Sequence, residues 1–530
     1  MKWRVMVELA GADGGVEVHE VSVGGYTTTT CSPDTLGLTL AAGKETLAGL
    51  QRHLVQAQAE QHCQSRRRCQ RCGDQRPLKD TRRRRLTSLF GVVEVRAPRF
   101  GPCRCGVASR RTITPVAEIM PDRCTPEYER TLAKMGALLP YRRARTLVEE
   151  FLPVGAAAVE TVRQRTLHVG ARLEREAVTA STPAPPTEAR SIALSIDGGH
   201  VRSVRSYQMR SFEVFVAQVS DDDGKQVVFS SMPAEADRQV QQLRGVLHGL
   251  GATPRTPVTI LSDGAEGPRS LGEAAGIGPT HHVLDWFHLS MRIQHVNQVA
   301  KGWPDATPGE REEGARLGET IEHIRWRLWH GQVQRALDLI GDTFVMLDAM
   351  AETASATAAK VAGVLRGLET YVFNQFELII DYATARRCDE PISTATTEST
   401  VQWLLHRGMG AQQQMRWSPR GAHLMLKVRT SVVNGTFDLD HRTAERWARR
   451  PFRQAAQHPP GSGRSHATKI DRSLVPADRP STMTSARPDR NNASVRAALS
   501  RGTPMLARSE PARCQLAVGA LARTGARWVG

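Results

Sequence analysis

The chain has 530 residues, and its 71 Lys and Arg against 54 Asp and Glu give a formal net charge of +17. This length allows three or four domains, and such a positive charge favours a polyanionic partner, most often nucleic acid. No stretch reaches the roughly 18 uncharged apolar residues of a membrane helix, and the first residues lack the apolar core of a signal peptide. We therefore expect a cytoplasmic protein without membrane contacts.

The N-terminal region gives the weakest pattern. Leu47, Leu50 and Leu54 fall near one face of a helix that would span Leu36–Gln61. On this basis we expect residues 1–60 to form an N-terminal helical region.

Residues 61–113 are rich in cysteine and arginine. Cys69 and Cys72 form a Cys-x2-Cys pair, and Cys103 and Cys105 form a Cys-x-Cys pair about thirty residues later. Close pairs in a chain without an export signal indicate metal ligands rather than disulfides, and four thiolates suit tetrahedral zinc. Free buried thiols are the alternative. We expect a zinc-ribbon-like, DNA-binding module that contains a strand over Leu89–Val95.

A run of four arginines lies inside this module, at Arg82, Arg83, Arg84 and Arg85. A cluster of this kind beside the cysteine pairs predicts contacts with DNA phosphate groups. A solvated surface would show the same pattern.

Three helices are expected over residues 124–178, at Pro126–Leu139, Tyr141–Leu152 and Ala157–Leu173, with Thr125 as N-cap of the first. They fit a helix-turn-helix, although a plain helical bundle has the same pattern. In a helix-turn-helix, the third helix would present its polar side chains to DNA bases and phosphates. These side chains are Arg163, Gln164 and Arg165.

A Pro-rich linker over residues 179–190 precedes a change in composition. In residues 191–450, apolar runs typical of strands alternate with helical patterns, which predicts an α/β domain. The strands are expected at Ile192–Ile196, Phe212–Val219, Gln226–Phe229, Val258–Leu261 and His281–Leu284. A helical insertion is expected over residues 299–385 and further helix over 397–434. Residues 451–530 have the composition of a disordered or non-native tail.

Three acidic residues stand at the ends of predicted elements. Asp197 and Asp263 each follow an apolar strand and precede glycine, and Glu398 begins a predicted helix. Carboxylates at adjacent strand ends and on a facing helix could hold two divalent cations for phosphoryl transfer. Each Asp-Gly step alone is more typical of an ordinary turn, so the order of the three motifs carries the interpretation.

A fourth motif is Asp285-Trp286-Phe287-His288, which follows the last predicted strand. His288 could support the carboxylates or contact the scissile phosphate. The alternative is a helix N-cap aspartate that is hydrogen-bonded to the histidine.

Together these motifs, over residues 60–450, resemble the ISKra-type insertion-sequence transposases of bacteria. The blocks that carry the resemblance are Cys69-Gln70-Arg71-Cys72-Gly73, Lys79-Asp80, Thr87-Ser88-Leu89-Phe90-Gly91, Cys103-Arg104-Cys105, Asp197-Gly198, Ser262-Asp263-Gly264-Ala265-Glu266-Gly267, Asp285-Trp286-Phe287-His288, Glu398-Ser399, Met415-Arg416-Trp417-Ser418 and Gly421-Ala422. The Asp-x-x-His string is also similar to a signature of the broader Mutator-related transposases.

The resemblance implies an RNase H-like core with an all-α insertion. It makes Asp197, Asp263 and Glu398 the catalytic carboxylates and the ligands of Mg²⁺ or Mn²⁺, and it implicates His288 in catalysis less directly. The implied activity is binding of the element's terminal repeats, cleavage of double-stranded DNA, and strand transfer by a bacterial, DNA-associated enzyme. A homodimer or higher oligomer would synapse the two ends, and Arg416 would contact DNA.

Two other functions fit parts of the pattern. An inactive, sequence-specific DNA-binding remnant of a transposase would need the zinc module and the helix-turn-helix but no carboxylates. Another RNase H-like nuclease, such as a junction resolvase, is usually much smaller and lacks the long helical insertion. A metabolic enzyme is disfavoured, because the sequence has no dinucleotide-binding loop, Walker loop or serine elbow.

Overall fold

The computed structural model describes residues 2–11, 15–25, 36–103, 105, 112–155, 157–179, 190–232, 236–394, 399–406, 409–410 and 415–448. Most of the expected linker, the expected tail from residue 451, and Glu398 lie outside the described residues. Within these ranges, none of the helices combines the length and the apolar composition that a bilayer crossing requires.

The chain begins with a β-hairpin rather than with helix. Strands β1 (Lys2–Ala10) and β2 (Val16–Gly25) pair antiparallel, and helix α1 (Leu40–Arg67) follows. The expectation of a helical region over residues 1–60 is therefore wrong for its first half. Half-buried Val7 and Leu9 alternate with exposed neighbours along β1, and this two-residue period is that of a strand.

A second hairpin carries the arginine run. Strand β3 (Leu78–Ser88) pairs antiparallel with β4 (Gly91–Phe100), so the strand expected at Leu89–Val95 begins two residues later. Helix α1 packs against β4 across a small core of Ala59, Cys63, Val93, Val95, Ala97 and Val116, to which the short helix α2 (Pro115–Ile119) contributes. Strand β3 escaped prediction because most of its residues are charged.

Three helices follow, as expected: α3 (Pro126–Leu138), α4 (Tyr141–Phe151) and α5 (Val159–Thr179). Thr125 is the N-cap of α3 and accepts a hydrogen bond from the backbone of Tyr128 at 3.3 Å, with proline at the first helical position.

A five-stranded mixed sheet forms the centre of the α/β part and confirms that fold class. Its strands are β5 (Ile192–Arg202), β6 (Ser211–Asp221), β7 (Gln226–Ser231), β8 (Val258–Ser262) and β9 (Thr280–Leu284). Their order is β7-β6-β5-β8-β9. The first three strands are antiparallel to one another, and β8 and β9 run parallel to β5.

Helices cover both faces of this sheet. Helices α6 (Ala236–Gly249) and α7 (Glu266–Ala275) share a buried core with one face. The other face packs on α5, on the short helical segment 399–406, and on α12 (Pro419–Val433) and α13 (Phe437–Ala448). Burial on both faces explains the apolar runs of the central strands.

The region of the expected helical insertion, residues 299–385, consists mainly of helices, as predicted. They are α8 (Trp286–Ala300), α9 (Pro308–Trp329), α10 (Val333–Asn374) and α11 (Tyr382–Arg387). They enclose a core of their own, which reaches the ends of β8 and β9 at Leu261, Val283 and Leu284. The helical segment is therefore packed directly against the sheet.

The contact between α5 and α12 supplies a test of this architecture. A Cβ atom at Gly170 would lie 2.3 Å from the carbonyl oxygen of Leu424, so Gly170→Ala must force the helices apart. We expect a loss of about 1–3 kcal/mol in unfolding free energy, measured by denaturant titration. The matched control is Gly363→Ala on α10, where no atom lies within 4 Å, and it should be neutral or stabilising by up to about 1 kcal/mol. Equal effects of the two substitutions would contradict the packing.

Candidate functional site

Two of the three predicted carboxylates lie at the same end of adjacent parallel strands. Ser195 on β5 pairs with Leu261 on β8, and Asp197 on β5 and Asp263, the first residue after β8, each lie two residues beyond that pair. Neighbouring strands are about 4.8 Å apart, and residues two apart share a face, so both aspartates belong to one edge of the sheet. The strand expected at Ile192–Ile196 in fact continues to Arg202. Beyond Ser195 it pairs with β6 and no longer with β8.

The face that carries Asp197 is covered by the helical segment 399–406. Asp197 is only 8% exposed, and Gly199 lies two residues further along the same face. A Cβ atom at Gly199 would lie 2.2 Å from Cδ1 of Leu405, so a larger residue there would force the Leu405 side chain to move. Glu398, the predicted third carboxylate, immediately precedes this segment but lies outside the described residues.

Two side chains from the long helical insertion hold the turn at Asp263 in place. The sequence did not predict either of them. Gly264 has φ +84°, and the backbone of Ala265 donates to Oδ1 of Asp263 at 2.9 Å. The Tyr371 hydroxyl of α10 donates to the carbonyl of Asp263 at 2.8 Å, and the side-chain amide of Gln375, the C-cap of α10, donates to the carbonyl of Gly264 at 3.1 Å. Their spacing of four residues is common on helices, so nothing in the sequence distinguishes them.

Asp285 and His288 form the helix N-cap arrangement that was one interpretation of their motif, and their position is compatible with the other, a role beside the carboxylates. Asp285 is fully buried and is the N-cap of α8, with its carboxylate 2.6 Å from Nδ1 of His288 and also bonded to Thr394. The hydrogen bond with Asp285 raises the pKa of His288, and the charges of Asp197 and Asp263 raise it further. Burial raises the pKa of Asp285, but its hydrogen bonds with His288 and Thr394 outweigh this and lower it. His288 is thus oriented by Asp285 within the electrostatic field of both aspartates.

Among the described residues, the carboxylates and His288 do not form a cluster of three ligand atoms at metal-binding distances. Asp197 and Asp263 supply hard oxygen donors, which suit Mg²⁺ or Mn²⁺. A complete site would need a further donor, and the predicted position of that donor is Glu398.

The four predicted zinc ligands, by contrast, come together. The sulfur atoms of Cys69, Cys72, Cys103 and Cys105 all lie within 4.8 Å of one another. The Cys69–Cys105 distance is 4.0 Å and the Cys72–Cys103 distance is 3.2 Å. A disulfide needs about 2.05 Å, whereas tetrahedral zinc with bonds of about 2.3 Å would place sulfurs roughly 3.8 Å apart. The cluster can therefore hold a metal ion, and its chemistry fits structural zinc.

The backbone of the first cysteine pair is also shaped for a metal. Hydrogen bonds from the amides of Cys72 and Arg71 lower the pKa of Cys69, whereas hydrogen bonds with the neighbouring thiols outweigh that with Asp74 and raise the pKa of Cys72. Gly73 has φ +81° and donates to the carbonyl of Cys69 at 2.9 Å, closing a tight turn. A ligand loop of this form connects the end of α1 to β3, and so joins the helix to the hairpin.

The arginines of β3 divide between two faces of the hairpin. In the strand register, Arg83 lies opposite Arg96 and Arg85 lies opposite Glu94, on the face away from α1, and all four side chains are exposed. Arg83 forms an ion pair with Glu94 at 3.3 Å. Arg84 is half-buried and donates to the carbonyl of Met120 at 2.5 Å. Arg82 is exposed on the side of Arg84. The run is therefore only partly available to DNA, and the sequence missed Arg96 as a member of the exposed face.

The predicted DNA-contacting residues of α5 already have protein partners. Arg163 and Gln164 are exposed, and both bind Glu160 on the same helix. Arg165 lies 3.3 Å from Glu129, which is 2% exposed and also bound by Arg172. Burial raises the pKa of Glu129, but the hydrogen bond with His168 and the arginine charges lower it to about 2. Arg165 thus stabilises a buried carboxylate.

Arg416 is exposed. The next residue, Trp417, is buried and forms a β-bridge with Ser203, the residue that follows β5. Trp417 belongs to the buried core on one face of the sheet. Comparisons with known proteins add no family: no protein-family model matches the chain, and no curated protein is significantly similar to it.

The sulfur geometry predicts one zinc ion per chain. Replacing Cys69 and Cys103 together by serine should abolish bound zinc, measured by elemental analysis of the purified protein, because each cysteine pair loses a ligand. Cys388→Ser is the control, since Cys388 is exposed and lies outside the cluster. Protein without zinc, or equal zinc in both variants, would contradict the assignment.

The Asp285–His288 pair predicts a pH-dependent stability. Because the pKa of His288 is raised in the fold, its stabilising contribution is complete below its ordinary pKa of 6.5 and is lost as pH rises through the raised value. His288→Gln should therefore lower the unfolding free energy by about 1.5–3 kcal/mol below pH 6 and by less in alkaline solution. His295→Gln, exposed on the same helix, is the control. A difference that grows with pH would refute the pairing.

Proposed function

We propose that this chain is a DNA transposase, a metal-dependent enzyme that cuts and joins DNA strands. The observation that carries this proposal is the register of β5 and β8, which gives two aspartates neighbouring positions at one sheet edge. The segment that begins after Glu398 crosses the same face two residues beyond Asp197. Asp197, Asp263 and Glu398 are the proposed catalytic carboxylates, and His288 assists them.

The topology of the sheet supports an RNase H-like core. Three antiparallel strands are followed by two parallel ones, in the order β7-β6-β5-β8-β9. The first strand is central and carries Asp197, and the fourth strand beside it leads to Asp263. This arrangement is similar to the RNase H-like fold, in which carboxylates gather at that edge. The long helical segment that follows β9 corresponds to the all-α insertion that the resemblance implies.

The residues present account for how such a site would position its substrate. Bound Mg²⁺ or Mn²⁺ would activate the attacking oxygen and stabilise the leaving oxygen of an in-line displacement at phosphorus. Asp197 and Asp263 would offer carboxylate oxygens to the metal, and Gly264 supplies the positive φ of the turn after Asp263, with Gln375 packed where a Cβ atom would lie. Asp285 holds Nδ1 of His288, so that Nε2 is the nitrogen left for a phosphate oxygen. The raised pKa of His288 favours the protonated form, which can donate to that oxygen.

The hairpin of β3 and β4 is the proposed surface for the DNA backbone. Arg83, Arg85 and Arg96 are exposed on one face, against Glu94 as the single acid among these paired positions. Zinc bound by the four cysteines would fix this hairpin to the end of α1 and keep the arginines aligned. Phosphate contacts of this kind give affinity without base specificity.

Helices α3 to α5 are the proposed helix-turn-helix, and only part of α5 is free to contact DNA bases. The middle of α5 is covered, because Arg165 binds Glu129 and Gly170 packs on α12. Arg163 and Gln164 near its start remain exposed. Since a recognition helix reads bases with its N-terminal residues, these two are the proposed base-contacting side chains.

The proposal predicts metal-dependent cutting that requires the aspartates. The substrate is a supercoiled plasmid with the DNA that flanks this coding sequence on both sides, incubated with Mg²⁺ or Mn²⁺. Asp263→Asn should lower the cleavage rate by about 100-fold or more while DNA binding persists, because the carboxylate is lost and the fold is kept. Asp348→Asn, exposed on α10, is the matched control and should cut like the natural protein.

Three other results would redirect the assignment. Sequence-specific binding without cutting, equal in all variants, would indicate an inactive DNA-binding remnant. Cutting confined to four-way junctions would indicate a junction resolvase. Cutting that Asp263→Asn leaves unchanged would place the catalytic residues elsewhere.

A further inference from the structure

Strand β1 is the free edge of a two-stranded sheet. It pairs with β2, and among the described residues no other segment forms a backbone hydrogen bond with it. Every second residue of an edge strand points its N–H and C=O groups away from the partner strand. With nine residues, β1 is long for an edge strand, and it contains no proline that would block pairing. Such an edge can accept a further strand.

The irregularity of this hairpin lies on β2 and leaves β1 unbroken. Val5 is opposite Ser22, whereas Met6 is opposite Glu20, so the extra residue is Val21. A bulge protects an edge strand from pairing when it distorts that strand. Since this bulge is on the inner strand, it gives β1 no such protection.

The two faces of β1 differ in character. Val7 is opposite His19, whose ring stacks on His53 of α1 with centroids 4.5 Å apart, so the odd-numbered positions of β1 face α1. These positions are all apolar: Trp3, Val5, Val7 and Leu9. The positions that face away from α1 include Arg4, Met6 and Glu8, and all three are exposed.

The order of these residues makes β1 complementary to a second copy of itself. In an antiparallel pair centred on Met6, Arg4 lies opposite Glu8 of the second copy, and symmetry makes this contact twice. On the other face, Val5 lies opposite Val7 and Trp3 opposite Leu9. A parallel pair would bring like charges together, and an antiparallel pair centred one residue to either side loses the charge match at Arg4.

Arg4 remains accessible to a carboxylate of a second copy. Within its own hairpin it lies 3.9 Å from Glu20, yet 69% of its side chain is exposed. A guanidinium has five N–H donors, so one distant carboxylate does not saturate it.

We propose that β1 pairs antiparallel with β1 of a second copy of this chain, which gives a four-stranded sheet in the order β2-β1-β1-β2. A two-stranded hairpin is marginally stable by itself, and further strands stabilise it. The two-fold pairing uses the free edge of both copies, so the assembly closes at two chains. This inference goes beyond the proposed function, because the pairing requires no DNA.

The test is sedimentation equilibrium of the full chain, freed of nucleic acid, at micromolar concentration. The natural protein should be a dimer. Arg4→Glu places a carboxylate opposite Glu8 in both contacts and should raise the dissociation constant roughly 10-fold or more, and Glu8→Arg should do the same with two guanidinium groups. Glu17→Arg makes the same charge change at an exposed position of β2 and should leave the dimer intact.

Mixing the two variants separates pairing from damage to the fold. The Arg4→Glu and Glu8→Arg chains have opposite charges at both contacts when they pair with each other, so the mixture should recover dimers that neither variant forms alone. A monomeric natural protein, whose edge is then free or available to another protein, would overturn the pairing. So would single variants that dimerise like the natural protein, or a mixture that stays monomeric. None of these outcomes bears on the DNA-cleavage assay of the proposed transposase.

Discussion

The parallel pairing of β5 with β8 is the constraint on which the candidate site depends. A shift of one residue in this register would turn the side chain of Asp197 or Asp263 to the opposite face of the sheet. This register is fixed because apolar residues that precede the aspartates on both strands are buried in the core that the sheet shares with α6 and α7. The side chain of Leu405 in the covering segment then packs against position 199, which is glycine. The placement of the two acids thus follows from the packing of other residues on and near the same strands.

The helical segment is joined to the sheet edge by hydrogen bonds as well as by its apolar core. Tyr371 and Gln375 hold consecutive carbonyls after β8, and Tyr382 holds the carbonyl of Leu284 at 2.8 Å. Thr394 binds Asp285 from the chain that returns to the sheet. The chain that leaves β8 and the end of β9 therefore each have a partner on or next to the long helical segment. That segment acts as a second scaffold for the site.

Local patterns in the sequence predicted what depends on neighbours along the chain. The apolar runs gave the central strands, the Cys-x2-Cys and Cys-x-Cys spacing gave the sulfur cluster, and Thr125 with proline gave the start of α3. What was missed depends on partners distant in sequence. Nothing local shows that Arg165 meets Glu129, or that Tyr371 supports Asp263 across 108 residues. The charged strand β3 was missed because most of its residues are charged and its pairing with β4 cannot be read from its own sequence.

The central claim is that Asp197 and Asp263 bind one divalent-metal centre together, and Mn²⁺ titration by calorimetry tests it most directly. The titration compares the natural protein with Asp197→Asn, Asp263→Asn and the double variant. Because the two carboxylates share a sheet edge, each single substitution should weaken Mn²⁺ binding nearly as much as both together. Affinities that fall independently and additively, or do not change at all, would contradict a shared metal centre and the catalytic role that rests on it.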